Sequence, residues 1–166
     1  MYTLRCTVKL LERVKPTLMA EPPPPTTALG DWYATALFMR PQVAVMVNEV
    51  TLLPVFLPLA PASTLAKRFP AHLAEVLKAL GVDDEFIARE VAAMSVAGFA
   101  RTASRNVIGS MNELAYLAEV HQRAEDPRDL LSLSVFLAGT PMKVLRRSSP
   151  DVALQTLINN QPAPTP

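Results

Sequence analysis

"QVAVMVNEVTLLPVFLPL", residues 42–59, decides the fold class. Val43, Val45 and Val47 alternate within a β-rich run, Asn48 and Glu49 offer a turn, and Thr51 to Leu59 read as a return strand. The stretch therefore predicts a hairpin, and with it antiparallel pairing. Pro54 and Pro58 have no amide to give to a ladder, and their spacing of four puts both ring nitrogens on one side of the strand. That side should face no partner strand, so the return strand is expected at a sheet edge or to end early.

Upstream of the hairpin, "TLRCTV" (3–8) alternates as a short strand, with Leu4 and Cys6 on one face and Thr3, Arg5 and Thr7 on the other. A short helix is expected over 9–15, ending before Pro16. The four prolines 22–25 favour a stiff, exposed polyproline II loop. Gly30 supplies a turn, Asp31 is an N-cap candidate, and Trp32 to Met39 reads as a short helix closed by Pro41, with a strand as the second choice.

Downstream, helices are expected over 63–80 and 83–95, the first capped by Ser63 and interrupted at Pro70. A strand follows at 96–102. Three more helices start at Ser110, at Asp126 and at Ser149, the last two with proline in the first turn. The order predicts an α+β fold in which a small antiparallel sheet of about four strands, built on the central hairpin, is covered by several helices. One domain is expected over 1–161, followed by a flexible proline-rich tail at 162–166.

With 166 residues the chain is long enough to bury a real core. Half of the residues are hydrophobic and 19% are charged, with a mean hydropathy of +0.21. Such an apolar surplus needs a large core, a subunit interface, or both, and a homodimer or other protein partner is expected. The net charge of +1 provides no whole-chain attraction for nucleic acid or anionic lipid. One cysteine cannot form an intrachain disulfide and fits a reducing compartment. Charges at Arg5, Lys9, Glu12 and Arg13 argue against a signal peptide, and the uncharged run 50–66 is cut by prolines and short of the ~20 residues of a membrane helix. A cytoplasmic protein without membrane contact is expected.

Catalytic signatures are missing from the sequence. His72 and His121 stand without HExxH or CxxC companions, so no metal and no cofactor is implied. There is no GxSxG, and the five glycines do not form a nucleotide-binding loop. Arg101, Arg105, Arg123 and Arg128 gather in one region of sequence, where solvated helix faces are the simplest account. "GDWYA" sets Asp31 beside Trp32 and Tyr33, adjacent aromatics that either line a pocket or pack in the core.

"TASRNVIGSMNEL" (102–114) is the sharpest local pattern. Ser110 and Glu113 fit a capping box, which explains the second half of the stretch. The polar approach before it is not needed for a cap, and a helix N-terminus attracts anions. The candidate ligand-binding set is therefore Asp31, Trp32, Tyr33, Arg101, Arg105, Asn106, Ser110 and Asn112, with no catalytic residue assigned.

The chain resembles a bacterial family of uncharacterised proteins, a domain of unknown function. The resemblance lies in "YTLRCTVKLL" (2–11), "TTALGDWYA" (26–34), "TLLPV" (51–55), "RTASRNVIGSMNELA" (101–115), "LAGTPM" (137–142) and "SPDVALQTLI" (149–158), nearly the whole length. The family pattern around the capping box is similar to N-R-S-V-L-G-S-M-N-D. Arg105 matches its arginine, Asn106 stands where a serine is usual, and Glu113 replaces the aspartate. The resemblance carries no activity, and genes of this family look like accessory or mobile bacterial DNA.

Three functions are then in play. The first is a non-enzymatic binding or interaction protein that works as a homodimer. The alternative is a nucleic-acid or phosphate-ligand binding module using the loop and helix N-terminus at 101–112. The third is an enzyme with a site at "GDWYA" and the polar approach; the expectation leans away from catalysis.

Overall fold

The computed structural model describes residues 1–162, so the expectation of a flexible tail at 162–166 lies, apart from Pro162, outside the described residues. The hairpin forms as β3 (Val43–Asn48) and β4 (Pro54–Pro58). The return strand begins at Pro54 rather than Thr51. Residues 49–53 form the turn, because the Asn48 side chain accepts from the amides of Val50 (3.1 Å) and Thr51 (2.9 Å) and donates to the Leu29 carbonyl (2.8 Å). One buried amide thus orders the turn and ties it to the chain before the next strand.

Residues 32–39 do not form the expected helix. Trp32–Leu37 is a strand, β2, with all six residues buried. Both of its faces are covered, so both must be apolar or small, and the alternation that marks a half-exposed strand is lost. β2 pairs antiparallel with β3 and parallel with β1 (Tyr2–Cys6), and β1 pairs parallel with β5 (Ala97–Arg101). The sheet is five-stranded and mixed, in the order β4-β3-β2-β1-β5, instead of the four-stranded antiparallel sheet expected. The parallel pairs set β1 beside β2 and β5, strands distant from it in sequence, which no local pattern announces.

β4 is an edge strand, as its prolines require. Alternation turns the nitrogens of Pro54, Phe56 and Pro58 outward. The two prolines need no partner, and the Phe56 amide donates to Ser134 Oγ at 2.9 Å. Ser134 lies on α5 (Leu130–Ala138), which runs along that edge and closes it to further strand pairing.

The helices cover both faces. On the face of Tyr2, Leu4, Trp32, Met46 and Leu57 lie α1 (Val8–Val14), α2 (Leu65–Ala79), α3 (Asp84–Ala93) and α6 (Pro150–Asn159). On the face of Tyr33, Val45, Val47 and Phe56 lie α4 (Arg105–Gln122) and α5. Two cores, one per face, absorb most of the apolar surplus. Pro70 sits inside α2 without ending it. The carbonyl of Ala66, whose α-helical partner would be the missing amide of Pro70, instead accepts from Tyr2 Oη at 3.3 Å.

Three caps differ from expectation. α2 is preceded by a 3-10 turn, Ala62–Thr64, instead of starting at Ser63. α5 is capped by Asp129, not Asp126. α4 starts at Arg105 with Ser104 as its N-cap, so Ser110 lies buried inside the helix and the capping-box reading of Ser110 and Glu113 is overturned. α6 starts behind Ser149 with Pro150 in its first turn, as expected.

Candidate functional site

β1 and β5 run side by side and parallel, yet the chain leaves them in opposite directions. After Cys6 it enters α1 on one face of the sheet; after Arg101 it enters α4 on the other. In an open sheet with parallel strands this divergence leaves a crevice outside the strand ends, the usual place for a ligand. The expected polar approach, 101–106, lines that divergence.

On the α4 side of the sheet lies the polar row that alternation assigned to one face of β1. Arg5 sits opposite Tyr33 of β2 and Ala100 of β5. Next along the row, the hydroxyls of Thr7 and Thr35 are 2.8 Å apart. Tyr33 Oη accepts from the Ser104 amide at 2.9 Å, so the aromatic of "GDWYA" holds the start of α4. Two buried polar atoms on this row, Arg5 Nε and Thr3 Oγ1, have no hydrogen-bond partner among the described residues. Most buried polar atoms do have one.

The eight candidate residues separate into two groups. Asp31, Trp32, Tyr33 and Ser110 are buried. The Asp31 carboxylate accepts from the Thr3 amide at 2.7 Å, and Trp32 packs edge-on against Phe69 with ring centroids 4.9 Å apart. Arg101, Arg105, Asn106 and Asn112 are exposed, the first at the end of β5 and the rest on α4. Tyr33 is joined to the α4 start through Ser104, whereas Trp32 points to the opposite face of the sheet. Arg5, Thr7 and Thr35 were not singled out by sequence. The alternation of "TLRCTV" carried the signal for the first two, and Thr35 was hidden by reading 32–39 as helix.

Several groups with acid, base or nucleophile chemistry are committed to structure. Glu90 is buried on α3 and accepts from the amides of Ala28 (2.7 Å) and Leu29 (3.0 Å), pinning the loop before β2. Burial pushes its carboxyl above the usual range; the two amides and the N-terminal ammonium oppose that shift. Burial also pushes the Cys6 thiol up to about 12, far from a reactive thiolate. The amide of Ser132 and its side chain hold the exposed Asp129 carboxyl below its ordinary value. Among the described residues no three His, Cys, Asp or Glu side chains gather as a metal site needs, and no helix is long and apolar enough to cross a membrane.

No curated protein and no solved structure matches the chain. One family model does, over residues 3–153, which takes in β1 through the first turn of α6 together with "GDWYA" and the polar approach. By that match the chain belongs to the domain of unknown function family DUF6933.

Proposed function

We propose that the chain is a non-enzymatic, cytoplasmic binding module whose ligand seat is the crevice between the ends of β1 and β5. The observation that carries this reading is the divergence of α1 and α4 to opposite faces at two adjacent parallel strands. The residue chemistry agrees with a small anion. Arg101 and Arg105 are exposed beside it, and Arg5, on the α4 side of β1, has a buried donor with no partner among the described residues. The carboxylates of Asp31 and Glu90 are engaged by backbone amides, which supports binding rather than catalysis.

Nitrogen-15 NMR of the full chain, titrated with inorganic phosphate and with acetate, tests the seat. The amides of Arg101 to Asn106 are expected to shift in saturable fashion, and the shifts to vanish in Arg105→Ala and to weaken with salt. Amides that stay still at millimolar phosphate would overturn the reading.

A second reading is self-association through the outer face of α4. Tyr116 and Val120, one turn apart, are 67% and 46% exposed, and Phe136 of α5 stands beside them against His121. Light scattering after size exclusion is expected to give a dimer that Tyr116→Lys dissociates; a monomer at micromolar concentration sinks this reading.

A further inference from the structure

A second concave site lies away from the crevice, where the β2–β3 connection meets the end of α4 and the start of α5. It is a cleft of about 530 Å³ lined by Phe38, Val43 and Leu130 on its apolar side and by Arg40, Arg123 and Arg128 on its polar side. That volume is the size that takes one small organic molecule.

Its charge is unbalanced. Among the described residues the one ion pair within 4.0 Å joins Arg89 to Glu85 on α3, so none of the three cleft arginines has a carboxylate partner. Glu119 and Asp129 also line the cleft, but Asp129 is taken up by its cap of α5, accepting from the Ser132 amide at 2.8 Å. Two more cations extend the excess: Lys9 Nζ and the Arg13 guanidinium lie 5.6 and 5.8 Å from the centre of the Phe38 ring. Three arginines and two carboxylates thus line the cleft, and two further cations stand against the Phe38 ring at its edge.

The aromatics are equally specific. Phe38 is 57% exposed at the mouth of an apolar floor. On α5, the ring of Phe136 carries the Arg128 guanidinium 4.1 Å from its centre. Arg128 is thereby oriented without being neutralised. A monoanion would leave several of these charges unanswered; a phosphate monoester carries close to two negative charges and three acceptor oxygens. A flat ring attached to it would stack on Phe38.

We infer that this cleft binds a phosphate monoester bearing a flat ring, the chemistry of a nucleoside monophosphate, with Arg40, Arg123 and Arg128 on the phosphate and Phe38 on the ring. The same chemistry occurs at the end of a single nucleic-acid strand, which the experiment separates from the free nucleotide.

Calorimetry on the full chain with adenosine 5′-monophosphate, adenosine and inorganic phosphate reads the site, and anisotropy of a fluorescein-labelled single-stranded oligonucleotide reads the polymer. The monophosphate is expected to bind more tightly than either of its parts. Losing one charge-assisted contact, in Arg123→Ala or Arg128→Ala, should weaken it about tenfold. Phe38→Ala should weaken the monophosphate and leave phosphate unchanged. Arg89→Ala, on α3 and outside both the cleft and the crevice, should change nothing. An oligonucleotide that binds more tightly than the monophosphate, with the same arginine dependence, makes the strand end the ligand. The inference is overturned if the monophosphate gives no saturable heat, or if its binding is the same in the Arg123→Ala/Arg128→Ala double variant.

Discussion

Tyr33 Oη accepts a hydrogen bond from the backbone amide of Ser104 at 2.9 Å, across 71 positions of sequence. Tyr33 is fully buried in β2, and Ser104 is the residue that caps α4. The two stretches that stood out in the sequence, "GDWYA" and the polar approach to α4, are joined through that one contact. The tyrosine acts on the crevice by fixing where α4 begins.

Removing the hydroxyl tests that role. Tyr33→Phe keeps the ring in its core and leaves the Ser104 amide without its acceptor, at a cost of about 1 kcal/mol in urea unfolding. The NMR lines of Arg105 and Asn106 should broaden or shift while those of the sheet hold. A variant as stable as the parent, with an unchanged α4 start, would show that the contact does not position the helix.

The edge of β4 gives a second prediction. Ser134 Oγ accepts from the Phe56 amide and donates to the Leu130 carbonyl at 2.7 Å. Ser134→Ala leaves a buried strand amide unsatisfied, which should cost about 1–3 kcal/mol by chemical unfolding. Ser134→Thr, which keeps a hydroxyl, should recover part of it. Because α5 covers an edge that would otherwise invite pairing, Ser134→Ala should also aggregate at a lower temperature, read by static light scattering.

Asn48 is the third. Its side chain serves the Leu29 carbonyl, the Val50 and Thr51 amides and the Thr51 hydroxyl, with nothing exposed. Asn48→Ala should cost about 2–4 kcal/mol, more than either single-contact variant, because several buried partners lose it at once. Asn48→Asp keeps the acceptor and loses the donor to Leu29, so it should fall between parent and Asn48→Ala in a urea series.

What the sequence made legible follows from range. The prolines of β4 announced an edge because a missing amide is a local fact, and the alternation of β1 placed Arg5 and Thr7 on the polar face correctly. β2 was hidden because Ala34 and Ala36 on one face and Tyr33 and Leu37 on the other are all buried, leaving no period to read. The parallel β1–β5 pair was hidden because it sets Tyr2 beside Ala97 and Cys6 beside Arg101, far beyond any local pattern. The Ser110–Glu113 pattern misled because its spacing also occurs within a helix, where residues three apart are neighbours and the pair straddles the border between the packed and the exposed face. The cleft arginines were visible only as a loose cluster, since Phe38 and Arg40 reach them through the fold.

Glu90 yields a pH prediction. Burial raises its carboxyl pKa in the folded protein above the unfolded value, so between those two values the folded state holds the proton that the unfolded state has released. Stability contributed by this group is therefore fully present below the unfolded pKa and falls as pH rises through the window up to the raised folded value. Glu90→Gln cannot ionise and keeps one oxygen for the Ala28 or Leu29 amide, so it loses a constant contact and no titration. Urea midpoints of parent and variant, measured from the ordinary carboxylate range towards neutrality, should converge as the parent weakens. A gap that stays constant with pH would mean that Glu90 ionises as readily in its buried seat as in the unfolded chain.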